Sequence, residues 1–343
     1  MKENIAPRDN KPRQFDTAAI PIGIVGLGLM GCSITTCLLI AGHPVVALAP
    51  VHHDLAHAEN RIRTHLTKSQ QHGLVSERPE FYFQQLTITE DYSALKSCKL
   101  VVECTLEDMD IKGAVFRKIE EVVTPEALIG SNTSAIPISD LQKLIKHPER
   151  FFGLHWTEPA HTTKFLEIIC GESSKLAYGE YLYELSRYWA KEPILVKRDL
   201  RGFVGNRLMY AMYREAINLV ENGYATIEDV DRACRNNTGF FMTYIGLFRW
   251  MDLTGLKAYH TVMKDLLPTL HNGTEVPKLI DDIVKAGGNG VSNAQGFYRY
   301  TPEEARMWEE TFNQFAYDIR ELSQKYPEDL VQKKLEQQEK KEE

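Results

Sequence analysis

Several features that mark large classes of protein are scarce in this chain of 343 residues. Its six cysteines form no CxxC pair and no cluster with histidines at metal-ligand spacing, so no metal site is expected. The net charge is −7, which provides no basic face for nucleic acid. The longest apolar stretch, around residues 34–49, is interrupted by Gly42, His43 and Pro44, so no membrane span is expected. No apolar leader with a cleavage pattern begins at Met1, so we expect a cytoplasmic location.

The length predicts two domains, at roughly 100–200 residues per domain. Residues 1–18 are a polar arm, and from residue 19 to residue 200 short apolar, β-branched runs alternate with helical patterns. This alternation predicts an α/β fold with a doubly wound, Rossmann-type parallel sheet. Helical periods dominate residues 201–328, which predicts a smaller all-helical C-terminal domain, and residues 329–343 form a charged tail.

A glycine-rich turn of the form G-x-G-x-x-G follows the first predicted strand, which begins at Ile22. The first glycine of this pattern permits a tight turn, the second lets the backbone approach a pyrophosphate, and the third lets helix and strand pack closely. The following helix offers amide groups and a partial positive charge to phosphates. The alternative is a plain strand-to-helix turn. The predicted dinucleotide site consists of Gly26, Gly28, Leu29, Met30 and Gly31.

The carboxylate that usually binds the adenosine ribose is missing. It normally ends the second strand, about 20 residues after the glycines, and this sequence has Ala49-Pro50 there. Two interpretations compete: the site accepts a 2′-phosphate, with His52, His53 or Arg61 as partners, or it binds NAD without that contact. We favour NAD as the cofactor and keep NADP as the alternative.

Five further motifs are distributed along the chain. They are Val101-Val-Glu-Cys-Thr-Leu-Glu107, Ser131-Asn-Thr-Ser134, Gly153-Leu-His155 followed by Lys164-Phe-Leu-Glu167, Gly202-Phe-Val-Gly-Asn206-Arg, and Gly296-Phe-Tyr-Arg-Tyr300. In order and spacing they resemble the L-3-hydroxyacyl-CoA dehydrogenase family, which includes 3-hydroxy acid dehydrogenases of the gulonate dehydrogenase and lambda-crystallin type. The resemblance extends from Ile22 to about Tyr300.

The resemblance implies an oxidoreductase that transfers a hydride between the 3-hydroxyl carbon of its substrate and NAD(P). It implies that His155 is the general base and that Glu167 orients the imidazole. It also implies that Ser134 and Asn206 hydrogen-bond the reacting oxygen. The residues that it places along the bound cofactor are Glu107, Lys112 and Asn132.

The residues themselves support the same chemistry. Hydride leaves carbon more readily as the hydroxyl proton departs, and imidazole is a suitable base near neutral pH. A carboxylate on the other ring nitrogen fixes the tautomer. His155 and Glu167 fall on two predicted strands joined by a short loop, so they can become neighbours. Taken alone, Ser134 has a simpler interpretation as the N-cap of a helix from Ile138 onward.

Two segments depart from the family pattern. After the histidine the family usually has Phe-Phe-Asn-Pro, whereas this chain has Trp156-Thr-Glu158-Pro. Where the family usually has Gly-Pro-Phe-Glu, this chain has Gly246-Leu-Phe-Arg249. We hypothesise that Arg249 pairs with a free substrate carboxylate and that Glu158 takes up substrate hydroxyls. The alternative is that both are solvated or pair with each other.

The first functional hypothesis is therefore a 3-hydroxyacyl-CoA dehydrogenase of fatty acid metabolism. A dehydrogenase of a free 3-hydroxy acid, of the sugar-acid or carnitine type, is the alternative. A non-catalytic nucleotide-binding or crystallin-like protein is a second alternative, against which the complete catalytic set argues. The expected partner is a small-molecule substrate, with neither nucleic acid nor membrane involved, and the resemblance implies a homodimer formed through the helical domain.

Overall fold

The computed structural model describes residues 14–327 and 329–342, so residues 1–13 of the predicted polar arm lie outside the described residues. The chain divides into two compact units, Met1–Asn206 and Arg207–Glu343, called here the first unit and the second unit. Among the residues described, no helix combines the length and apolar character that crossing a membrane requires.

In the described part of the first unit, the strands form one sheet of eight. Short runs rich in valine, isoleucine and leucine form these strands, because such side chains suit a sheet that is covered on both faces. The strands are β1 (Ile22–Val25), β2 (Val45–Leu48), β3 (Leu86–Thr89), β4 (Leu100–Glu103), β5 (Leu128–Ser131), β6 (Phe151–Trp156), β7 (Leu166–Cys170) and β8 (Ile194–Val196).

The strand order is β3-β2-β1-β4-β5-β6-β7-β8. All neighbours are parallel except β6 and β7, which pair in antiparallel orientation. The chain moves outward in one direction from β1 to β3 and then returns to place β4 on the other side of β1. Ligands of doubly wound sheets bind at the carboxyl ends of the strands where the order reverses in this way.

Helices cover both faces of this sheet and enclose two apolar clusters. One cluster lies under α1 and includes Ile24, Leu38 and Phe152, and the other lies under α4 and includes Phe116 and Phe151. The helices of the first unit are α1 (Leu29–Ile40), α2 (His52–Gln71), α3 (Pro79–Phe83), α4 (Met109–Val122), α5 (Ile138–Gln142) and α6 (Leu176–Arg187).

The second unit is helical. Helix α7 (Gly205–Glu221) begins at the end of the first unit and continues into the second. Thr226 and Thr301 cap two of the later helices by accepting a backbone amide hydrogen bond, and Glu304 completes a capping box with Thr301. The later helices are α8 (Ile227–Ala233), α9 (Gly239–Met242), α10 (Leu247–Thr254), α11 (Leu256–Leu266), α12 (Lys278–Lys285), α13 (Pro302–Lys325) and α14 (Leu330–Glu342).

The predicted fold class, a Rossmann-type sheet followed by a helical C-terminal region, is confirmed. The sequence interpretation did not include β3, β8 or α6. The two strands are short and lie at the edges of the sheet, where a weak apolar pattern is sufficient because one side of the strand has no neighbour.

Candidate active site

The glycine-rich turn joins β1 to α1. Gly26 has φ +102°, and a Cβ there would lie 2.7 Å from the carbonyl oxygen of Cys104. A Cβ on Gly31 would lie 1.8 Å from the carbonyl oxygen of Gly26, so strand and helix approach this closely only because both residues are glycine. A Cβ on Gly28, in contrast, would meet no atom within 4 Å. Gly28 therefore borders open space at the start of α1.

That open space suits a dinucleotide. No side chain caps α1 at Gly28, and the first amides of a helix have no acceptor inside the helix. They lie at the positive end of the helix dipole, which favours a pyrophosphate. Leu29, the next residue, is 57% exposed. The backbone donors and the uncrowded turn thus fit the phosphates of NAD.

His155 and Glu167 face each other across the antiparallel pair β6–β7, in direct register. The imidazole Nδ1 lies 2.7 Å from Glu167 Oε2. The His155 side chain is 8% exposed and that of Glu167 is fully buried. Phe165 and Phe203 pack against the imidazole, with ring centroids 5.9 and 5.6 Å away. The ring is therefore fixed in orientation, with Nε2 as the nitrogen not bonded to the carboxylate.

The second carboxylate oxygen of Glu167 anchors the start of α7. Glu167 Oε1 accepts hydrogen bonds from the backbone amides of Val204 and Gly205, both at 2.9 Å. A carboxylate at a helix N-terminus is stabilised by the helix dipole and by the free amides. Glu167 therefore connects the histidine to the helix that carries Asn206.

The structure brings Ser134 and Asn206 together through the main chain of Ser134. Asn206 Nδ2 donates a hydrogen bond to the Ser134 carbonyl oxygen at 2.7 Å, and Ser134 is exposed. The interpretation of Ser134 as an N-cap is wrong, because the cap position of α5 is Pro137 and no side chain bonds there. The exposed Ser134 hydroxyl thus lies on a turn that α7 holds in place.

Glu107 supports the same turn from the other side. Its Oε1 accepts hydrogen bonds from the Thr133 hydroxyl and from the amides of Ser134 (3.1 Å) and Ala135 (3.3 Å). Burial acts to raise the pKa of Glu107, but the hydrogen bond from Thr133 and the charge of Lys112 outweigh it and lower the pKa. An ionised Glu107 therefore holds the turn that precedes α5.

Lys112 lies in a buried ion-pair cluster, and its predicted place along the cofactor stays a prediction. Its side chain is 1% exposed, and its ammonium lies 3.0 Å from both oxygens of Glu103 and 3.3 Å from Glu107 Oε2. Lys112 is thus enclosed and neutralises two carboxylates. Removing it would leave Glu103, fully buried at the end of β4, without a counter-ion.

Glu103 was not identified by the sequence interpretation as a site residue. It also accepts hydrogen bonds from the Ser131 hydroxyl at 2.6 Å and from the Thr105 amide at 2.6 Å. A sequence signal existed, because Glu103 is a charged residue closing an apolar strand and such a charge requires a buried partner. Asn132, the remaining predicted cofactor residue, accepts a hydrogen bond from the amide of Trp156, next to His155.

Glu158 lies on the loop after β6, and its peptide bond to Pro159 is cis. Its carboxyl group is largely enclosed beside Ser33 of α1, and Oε2 is buried without a hydrogen-bond partner among the described residues. Burial raises the pKa of Glu158, against the effect of the hydrogen bonds from Ser33 and Ala160. The alternative in which Glu158 is a solvated surface residue is therefore wrong.

Arg249 lies on α10 of the second unit and is exposed. The alternative in which it pairs with Glu158 of the first unit stays open. Its predicted pairing with a substrate carboxylate stays a prediction.

The sheet order, the glycine turn at its switch point and the buried His–Glu pair define the class of protein: a dinucleotide-binding dehydrogenase. Family models for the 3-hydroxyacyl-CoA dehydrogenase NAD binding domain and C-terminal domain match residues 21–200 and 202–300. The chain therefore belongs to the 3-hydroxyacyl-CoA dehydrogenase family. The predictions of the family, of an enzyme acting on a CH–OH group and of NAD as cofactor are confirmed.

Individual relatives differ in substrate. A 5-formyl-3-hydroxy-2-methylpyridine 4-carboxylate 5-dehydrogenase of Mesorhizobium japonicum is 33% identical over 83% of this chain and 92% of its own length. A crystal structure of an enzyme of that name, described as an NAD⁺-dependent dismutase, has a TM-score of 0.83 and 30% identity over 88% of this chain and 97% of its own. A 3-hydroxybutyryl-CoA dehydrogenase of Mycobacterium tuberculosis is 32% identical over 81% of this chain and 98% of its own length. The structure of (S)-3-hydroxybutyryl-CoA dehydrogenase from Ralstonia eutropha has a TM-score of 0.68 and 26% identity over 82% of this chain and 99% of its own.

Proposed function

We propose that the chain oxidises a hydroxyl-bearing carbon, with His155 as the general base and Glu167 as the residue that orients it. The observation that carries this proposal is the buried 2.7 Å contact between His155 Nδ1 and Glu167 Oε2. It lies in the same unit as the NAD-binding turn. A carboxylate held by two backbone amides cannot rotate away, so the imidazole keeps one orientation throughout the reaction.

In this proposal His155 Nε2 takes the proton from the substrate hydroxyl, and Glu167 stabilises the imidazolium that forms. When bound, NAD supplies the acceptor for the hydride that leaves the same carbon. The turn held by Glu107 and Asn206 carries Ser134, whose hydroxyl is proposed to hydrogen-bond the reacting oxygen together with the Asn206 amide. Aromatic rings around His155 exclude water from the base.

The test is the variant His155→Gln. General-base catalysis contributes about 10²–10⁴-fold, so kcat is expected to fall by that factor. The matched control is His147→Gln on an exposed surface turn, where full activity is expected. Unchanged NADH affinity and melting temperature in His155→Gln would assign the loss to chemistry. Full activity of His155→Gln would refute the assignment of the base.

For the substrate we infer a free carboxylic acid in preference to a CoA thioester. Support comes from the TM-score of 0.83 with the pyridine carboxylate dehydrogenase, against 0.68 with a 3-hydroxybutyryl-CoA dehydrogenase. The departures at Glu158 and Arg249 from the usual family pattern, together with the exposed position of Arg249, agree with it. The 3-hydroxyacyl-CoA alternative is favoured by the 32% identical relative with that activity.

Initial rates of NADH consumption separate the two substrates. Acetoacetyl-CoA represents the thioester, and acetoacetate and formyl-substituted pyridine carboxylates represent the free acids. We expect kcat/KM to be at least about 10-fold higher for a free acid, because a charge-assisted contact contributes on this scale. Brisk turnover of acetoacetyl-CoA with none of the acids would contradict the proposal. Arg249→Met is expected to raise KM for the acid, and an unchanged KM would remove Arg249 from the proposed site.

The second alternative, a non-catalytic nucleotide-binding protein, predicts NADH binding without turnover of any of these compounds. We retain a homodimer and a cytoplasmic location as proposals. The exposed apolar side chains of the second unit support the homodimer.

A further inference from the structure

The carboxyl end of β2 has no acidic residue, but the strand beside it does. β2 and β3 are parallel, with Leu48 opposite Thr89. The ladder continues for one more bond, from the amide of Ala49 to the carbonyl oxygen of Thr89 at 2.9 Å. Glu90 follows directly, so it stands beside Ala49-Pro50 at a distance of one strand spacing, about 4.8 Å. A glutamate side chain has the length to cover that distance.

The Glu90 carboxylate is held at the start of α2. His52, the first residue of that helix, places Nδ1 2.5 Å from Glu90 Oε1. Among the described residues no side chain caps α2 at Val51, so the first amides of this helix have no side-chain acceptor. The other oxygen, Oε2, has no partner among the described residues, and the side chain is 45% exposed. One oxygen is therefore fixed while the other remains free to accept hydrogen bonds.

Each residue that could serve as a partner of a 2′-phosphate already has a neighbouring side chain. His52 is bound to Glu90, and Arg61 lies beside the Cys32 thiol of α1, whose pKa it acts to lower. His53 packs edge-on against His57, with ring centroids 5.1 Å apart. The Glu90 carboxylate after β3, beside the end of β2, repels a phosphate placed there.

We propose that Glu90 is the specificity-determining residue for the cofactor: its carboxylate accepts hydrogen bonds from the adenosine ribose hydroxyls and excludes a 2′-phosphate. The acid missing from β2 is thus supplied by β3. This inference is independent of the substrate and of the catalytic base, because it concerns the binding of the nucleotide alone.

The test measures binding and not turnover. NADH, NADPH and NADH lacking the adenosine 2′-hydroxyl are titrated into the full-length wild type, Glu90→Gln and Glu80→Gln, with cofactor fluorescence as the signal. Glu80 is an exposed glutamate of the same unit, paired with Arg63. Because both variants replace a glutamate with glutamine, they make the same change in net charge. Circular dichroism of each variant verifies that it is folded.

We expect Glu90→Gln to lower the ratio of the NADPH to the NADH dissociation constant by about 10-fold to 100-fold, the range of a hydrogen bond to a charged group. Glu80→Gln should leave the ratio unchanged. Loss of the 2′-hydroxyl should weaken binding to the wild type about 10-fold and to Glu90→Gln less than threefold. A ratio within twofold of wild type in a folded Glu90→Gln, or an equal loss with the 2′-deoxy cofactor in both proteins, would overturn the proposal.

Discussion

The two units differ in how they bury their apolar side chains. In the first unit whole strands are enclosed, and Phe151, Phe152 and Leu154 have no exposed surface. Among the described residues of the second unit, the buried hydrophobic side chains are Phe241, Ala305 and Tyr317, while aromatic rings such as Phe248 are 83% exposed. Monomeric proteins rarely expose many large apolar groups together. The first unit therefore contains its own core, whereas the second unit leaves most of its large apolar side chains exposed, which is the observation behind the proposed homodimer.

The largest effect that follows from this comparison is on stability. Phe152→Ala removes a fully buried ring from β6 and should cost about 3–5 kcal/mol in the free energy of unfolding. Phe248→Ala makes the same chemical change at an exposed position and should cost less than about 0.5 kcal/mol in the isolated chain. Denaturant unfolding at low protein concentration measures both. Equal losses in the two variants would contradict the difference between the units.

The next largest effect concerns the chemistry of the first unit. Glu167→Gln retains an oxygen for the amides of Val204 and Gly205 but removes the negative charge beside His155. We expect kcat to fall about 100-fold, or about 2.7 kcal/mol in activation free energy, because the imidazolium loses its partner. Stopped-flow measurement of hydride transfer, with NADH affinity as the control, checks this. A variant with wild-type kcat would show that the carboxylate only anchors α7.

The fold was predictable from the sequence to the extent that its elements are long or strongly apolar. The glycine turn, β1 and the long α7 pattern gave clear signals, because buried parallel strands and amphipathic helices have distinct periods. The edge strand β3 has the same length as β1, but its residues are only partly buried and alternate with threonine, so its apolar signal is weaker. Its identity comes from pairing with β2, which a single sequence does not reveal.

The candidate site was predictable where chemistry requires particular residue types. His155 and Glu167 meet as the sequence predicted, because a two-strand hairpin places them in register. The burial of Lys112 was not predicted, since an exposed and a buried lysine look alike in sequence. Glu103 closes an apolar strand, but its partners lie on β5 and α4, which are distant in the chain, so the sequence alone did not show its role.

The next prediction concerns the proposed homodimer, and its expected effect on the free energy of association is moderate. If the exposed aromatic rings of the second unit are covered by a second copy, analytical ultracentrifugation should give twice the 39.2 kDa of one chain. Phe248→Glu should then weaken the association by about 2 kcal/mol, since buried aromatic groups dominate such interfaces. Phe81→Glu, at a 47% exposed position of the first unit, is the control. A monomeric wild type at high micromolar concentration would refute the homodimer.

The smallest expected effect concerns a buried carboxylate of the first unit. Glu158 Oε2 is enclosed without a hydrogen bond from any described residue, and burial raises the pKa of this carboxyl group. A carboxyl group whose pKa is raised on folding contributes fully to stability below its ordinary pKa of 4.5, where it is protonated. That contribution is lost as the pH rises through the pKa of the folded state. At pH 7 the charged form therefore opposes folding, and Glu158→Gln should stabilise the protein by about 1 kcal/mol, roughly 2–4 °C in melting temperature. At pH 4 the neutral acid and the amide should be nearly equivalent, so the gain should disappear.

Calorimetry of both proteins at the two pH values, with Glu80→Gln as the control, measures the difference. A gain of equal size at pH 4 would show that the carboxylate charge is not its cause.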